Sequence, residues 1–63
     1  MKFTVKQARG LAGFTQDQMA EKLGIHRSTY IRKERNPGTF SMEEAEKFCE
    51  ITKMSMEQVS FKK

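Results

Sequence analysis

Apolar residues return along this chain every three or four positions, in short bursts. Val5, Ala8, Leu11 and Ala12 form the first set, Met19, Ala20 and Leu23 the second, and Met42, Ala45, Phe48, Cys49 and Ile51 the widest. That spacing puts each set on one face of an α-helix. A second signal is a serine or threonine followed three residues later by glutamine or glutamate: Thr4 with Gln7, Thr15 with Gln18, Ser41 with Glu44, and Ser55 with Gln58. The hydroxyl of such a pair accepts from a free N–H of the first turn, while the longer side chain reaches back to the cap. Together these signals predict helices over 4–12, 15–23, 41–52 and 55–61, with another from Arg27 to Arg35 capped by His26. No alternating run is long enough to predict a strand. Arg35–Thr39, which holds the one proline, is the clear loop. The pattern describes an all-α, five-helix domain over residues 1–63.

One break in the pattern is informative. The second and third helices flank Gly24, and both are too short to be stable alone. A glycine directly after a helix takes the left-handed conformation, which reverses the chain while capping the last carbonyls. Ile25 then turns back between the two helices as a plug, and the helices cross at a large angle. This is helix-turn-helix geometry, spanning about 15–35.

Composition narrows the chemistry. A chain of 63 residues has little room for an enzyme cleft, and no catalytic site is expected. No apolar run approaches the ~20 residues that cross a bilayer, and the start MKFTVKQ lacks the apolar stretch of a signal peptide, which makes the expected location cytoplasmic, with no membrane partner. Cys49 is the only cysteine and His26 the only histidine, so one chain cannot assemble a zinc set, and no cofactor is expected. Cys49 reads as a small core residue, and Asp17 and Glu21 as solvated carboxylates. Charge is uneven: Met1 to Lys33 carries seven basic against two acidic side chains, a net +5, whereas Glu34 to Lys63 carries five against six, a net −1. The basic excess belongs to the half that holds the turn, and it suits a polyanionic partner.

The run TQDQMAEKLGIHRSTYIRKE resembles the helix-turn-helix of the phage repressor and Cro family. The resemblance rests on Arg9 in the first helix, Thr15 with Gln16, Ala20, the Leu23-Gly24-Ile25 turn and the closing Glu34. It continues through Phe40, Ala45, Ile51, Ser55 and Val59 downstream. Three positions depart from the family pattern: Lys33 stands where an apolar residue is usual, Thr52 where a large aliphatic one is, and Lys53 where glycine often ends the fourth helix. The resemblance implies a lambda-repressor-like fold, double-stranded DNA as partner, no small-molecule substrate, and a Cro-like transcriptional repressor of phage or prophage type. It also implies an ion pair between Arg9 and Glu34 that joins the first helix to the third.

With Tyr30 facing inward, helical spacing turns Arg27, Ser28, Ile31, Arg32 and Arg35 outward. Arginine can donate to both O6 and N7 of guanine, serine can bond to several base edges, and isoleucine can meet a thymine methyl. Arg27, Ser28, Ile31 and Arg32 are therefore the candidate base contacts. Gln16, Lys6, Lys33, Arg35 and Asn36 are the candidate phosphate contacts. Met54, Met56, Val59 and Phe61 on the fifth helix are the candidate surface for a weak homodimer, formed in solution or on DNA. Other readings of the same chain are a helix-turn-helix module used for protein–protein contact, and an antitoxin that binds its own operator.

Overall fold

Three of the four capping pairs close completely. In the computed structural model, which describes residues 1–62, the hydroxyls of Thr4, Thr15 and Ser41 accept from the N–H groups of Gln7, Gln18 and Glu44, and those side chains accept from the cap N–H in return. These caps start α1 (Val5–Leu11), α2 (Gln16–Leu23) and α4 (Met42–Thr52). Between them α3 (Arg27–Arg35) begins at His26, and a 3-10 turn over Pro37–Thr39 leads into α4. The described residues thus form a compact domain of four α-helices, consistent with a helix-turn-helix fold.

The fifth helix, expected over 55–61, does not form. Its capping pair closes only in part: the Ser55 N–H donates to Gln58 Oε1 at 2.9 Å, and the Gln58 N–H donates to the Ser55 carbonyl at 3.0 Å, which makes a turn. The chain then runs extended. β2 (Val59–Ser60) pairs in parallel with β1 (Phe3–Thr4), in the register Phe3 with Val59 and Thr4 with Ser60. The Phe3 N–H also donates to the Gln58 carbonyl at 2.8 Å. The reason lies in side-chain direction. On a helix, residues 59 and 61 would point about 200° apart, but on an extended chain they share a face. Val59 can therefore be 1 % exposed while Phe61 packs against Phe40 and Phe48 at ring-centroid distances of 5.3 and 5.8 Å. A strand pair two residues long leaves too little alternation to be seen in the sequence.

The core joins Val5 and Ala8 of α1, Met19, Ala20 and Leu23 of α2, Tyr30 of α3, and Phe48 and Cys49 of α4 to Val59. Leu11 and Met42, expected on core faces, are 64 % and 68 % exposed. Leu11 lies about 120° around α1 from Val5, off the buried stripe, and Met42 sits on the outer first turn of α4.

Three helices end in the same way. Gly13, Gly24 and Lys53 take left-handed φ values of 84°, 72° and 60°. After each, the N–H of an apolar residue reaches back five positions: Phe14 to Arg9, Ile25 to Ala20 and Met54 to Cys49, at 3.2, 3.0 and 3.0 Å. All three apolar residues pack on the core. This is the Schellman stop with its hydrophobic contact. Lys53 shows that the stop forms after α4 without the glycine. The neighbouring departure is also accommodated: Thr52 is 7 % exposed, and its hydroxyl donates to the carbonyls of Phe48 and Cys49 at 3.0 and 3.3 Å.

Candidate nucleic-acid interface

One carboxylate ties α3 to the helices before it. Arg9 donates to Glu34 through Nε at 2.7 Å and Nη2 at 3.3 Å. Tyr30 donates its hydroxyl to Glu34 at 2.6 Å, and Gln16 donates its amide at 3.0 Å. Arg9 also donates to the Phe14 carbonyl at 2.7 Å, which fixes the loop between α1 and α2. The Glu34 side chain is 6 % exposed. Burial alone would raise its carboxyl, but the donors from Arg9, Tyr30 and Gln16 together hold it below its ordinary value. Burial first, and then the facing Glu34 carboxylate, push the Tyr30 hydroxyl up, so it stays protonated as a donor. The hydrogen bond to Glu34 raises the Arg9 guanidinium. One buried anion therefore clamps α1, the start of α2 and the last turn of α3.

With its inner side clamped, α3 presents a ridge. Ser28, Arg32 and Arg35 are exposed, and among the described residues neither arginine pairs with a carboxylate. A groove of about 250 Å³ runs along one side, lined by Lys6, Gln16, Ile31, Glu34 and Arg35. Another of about 230 Å³ runs along the other side, between Thr29, Arg32, Lys33, Asn36 and Thr39. Asn36 closes α3 and is exposed, as is Lys6.

Four of the expected contact residues have partners or burial within the chain that the sequence does not show. Gln16, expected at a phosphate, has its amide on Glu34. Lys33, also expected at a phosphate, turns inward: its ammonium donates to the Thr39 carbonyl and pairs with Glu44, both at 3.0 Å, and lies over the Phe40 ring. Its side chain is 18 % exposed. The usual apolar residue at this position is thus replaced by a long side chain whose stem packs and whose charge is neutralised. Arg27 is paired with Asp17 in a contact exposed on both sides, so Asp17 remains solvated as expected. Ile31 is half-buried in the wall of the first groove.

The surface expected for dimerisation is largely used internally. Val59 is buried, Met54 and Phe61 pack on the core, and Met56 is 38 % exposed. The Cys49 thiol is buried, points at the Met56 sulfur 3.5 Å away, and is raised by that burial. Two features of the interface were missed in the sequence: the Tyr30 hydroxyl, signalled by its four-residue spacing from Glu34, and Thr29 in the second groove, which no local signal marks.

No helix among the described residues is long and apolar enough to cross a membrane. Comparison with curated proteins and with solved structures gives no match. A family model described as helix-turn-helix matches residues 5–59, from the start of α1 to the start of β2. With that match covering all four helices, and with the Gly24 turn and the exposed basic ridge in place, the chain belongs to the helix-turn-helix family, whose DNA-binding motif is found broadly in transcription factors.

Proposed function

We propose that this chain is a sequence-specific duplex-DNA-binding repressor of the phage repressor and Cro type. The observation that carries the reading is the contrast across α3, where a clamped inner side faces an outer ridge holding Arg32 and Arg35, which have no carboxylate partner among the described residues. Two unneutralised cations on a fixed helix suit a major groove. In this arrangement Ser28 and Arg32 face base edges, while Arg35, Lys6 and Asn36 face phosphates and set register. Arg27 joins the base contacts when its pair with Asp17 opens. That pair is exposed on both sides, and such pairs contribute about 1 kcal/mol or less, so a phosphate or guanine can displace the carboxylate. Gln16 and Lys33 act by holding α3 and the loop after it.

One recognition helix reads only a few base pairs. Selective occupation of an operator therefore calls for two copies on half-sites about one helical turn, ~34 Å, apart. With Val59 and Phe61 committed to the core, pairing is weak in solution and is completed on DNA.

Selection of bound sites from a random duplex pool, followed by salt titration on the winning site, tests the reading. A short enriched motif and an affinity that falls steeply with salt are expected. No enrichment, with binding to a protein partner that barely depends on salt, would replace it with a protein–protein module.

A further inference from the structure

The first turn of α3 contains a contact that fixes the chemistry of its most outward hydroxyl. Ser28 lies two residues before the buried Tyr30, about 200° around the helix, and is exposed. Its backbone N–H donates to Nδ1 of His26 at 3.3 Å, which is the side-chain cap of the helix. A nitrogen that accepts this bond carries no proton, so the imidazole is the tautomer with its hydrogen on Nε2. The Ser28 Oγ lies 3.0 Å from the same Nδ1. With no hydrogen on Nδ1, the only proton available for that contact is the one on the serine hydroxyl. The hydroxyl therefore donates back to His26, and the hydrogen-bonding capacity left on Oγ is to accept.

We infer that His26 is a specificity-determining positioning residue, which makes Ser28 an obligate hydrogen-bond acceptor at the DNA surface and so selects an exocyclic amine, that of adenine or cytosine, at the base it meets. The inference rests on the DNA-reading role proposed above. A serine free to rotate can donate or accept, and discriminates poorly among bases. In the major groove only adenine N6 and cytosine N4 offer hydrogens, while guanine and thymine present acceptors. A hydroxyl whose proton is already used repels those acceptors and bonds to the amines. His26 thus acts on the base through Ser28, without touching it, and its exposed Nε2–H remains free to meet a phosphate.

Two measurements test this. Nitrogen NMR of the imidazole in the free chain, in mildly alkaline buffer, should show the hydrogen on Nε2. Finding it on Nδ1 overturns the inference, whatever the protein binds. The second is site selection with the natural chain, His26→Ala, His26→Asn and Ser28→Ala, after thermal unfolding has shown each variant folded. The natural chain should prefer adenine or cytosine at one position. A base analogue lacking the amine there should weaken binding roughly three- to tenfold, the size of one hydrogen bond. His26→Ala and Ser28→Ala should lose the preference at that position alone. His26→Asn places a carbonyl oxygen where Nδ1 stood and should retain it. An unchanged preference in His26→Ala, or a preference for guanine or thymine in the natural chain, overturns the inference while leaving DNA reading intact. No enriched motif with the natural chain removes DNA reading itself, and this inference with it.

Discussion

The chain through α3 and the chain after it both join helices too short to stand alone, but with different chemistry. Through α3 the junction is polar and converges on one atom group: Arg9, Gln16 and Tyr30 all donate to Glu34. After α3 the junction is aromatic, with Phe40, Phe48 and Phe61 at mutual ring-centroid distances of 5.3 to 5.9 Å. Hydrogen bonds have direction, so the first junction fixes how far α3 is rotated, and with it which residues form the ridge. Ring packing tolerates small reorientations and mainly removes apolar surface from water. Both parts share the buried core, but the part that positions the interface adds a directional clamp, and the part that supports it adds a cluster of rings.

The largest effects should come from breaking each junction in turn. Phe48→Ala removes a side chain with 0 % exposure and should cost about 3 to 5 kcal/mol in urea unfolding. Glu34→Ala should cost about 3 kcal/mol, because it leaves the Arg9 guanidinium and the Tyr30 hydroxyl without their partner. The two losses should differ in kind. Adding Arg9→Met to Glu34→Ala should cost less than the sum of the single changes, since the stranded charge is gone. Strict additivity in that cycle would mean that the polar junction is not a unit.

Acid separates the junctions further. The Glu34 carboxyl is held below its ordinary 4.5, so its contribution is fully present above that pH and is lost as pH falls through the lower folded value. Glu44 adds a contribution of the same sign, lowered first by the Ser41 backbone N–H and then by Lys33. Unfolding free energy should therefore drop below about pH 4.5 in the natural chain and in parallel in Phe48→Ala. In Glu34→Ala the drop should be shallower, with the Glu44 part remaining. Equal slopes in all three chains would place the acid sensitivity outside the clamp.

How much of this was legible in the sequence follows the same division. The caps at Thr4, Thr15 and Ser41 and the stop at Gly24 were readable because each is decided within a few residues. The Arg9 to Glu34 contact spans 25 positions, and only the family resemblance pointed to it. The failure at 55–61 has the same cause: Ser55 and Gln58 carry the local signal for a helix, but pairing with Phe3 and packing against Phe40 and Phe48 decide the outcome. The pair between Lys33 and Glu44 was not legible because its two partners lie on different helices.

Neighbours on α3 sharpen the comparison at the interface. Arg32→Ala should leave stability unchanged and weaken binding to the preferred site by about 1 to 3 kcal/mol, with relaxed choice at one base position. Lys33→Ala should do the reverse, since its charge is used against Glu44 and Thr39. A stability loss of about 1 kcal/mol, with base preference unchanged, is expected for it. Paired urea unfolding and gel-shift titrations check both, and a stability loss in Arg32→Ala would show that the ridge is also structural.

The smallest expected effect lies in the helix stops, one from each part of the molecule. Gly24 and Lys53 hold φ values of 72° and 60° and make the same backward hydrogen bonds, followed by Ile25 and Met54 on the core. A side chain in this conformation costs about 1 kcal/mol, because its Cβ crowds the backbone. At Gly24 an added Cβ would meet no atom within 4 Å, so Gly24→Ala should show that conformational cost and little else. Lys53→Gly should recover a similar amount, reduced by the extra freedom glycine gives the unfolded chain. Opposite shifts in melting temperature, the Gly24→Ala loss being the larger, are the expected result. A loss at both positions would mean that the Lys53 side chain contributes more through its contacts than its backbone conformation costs.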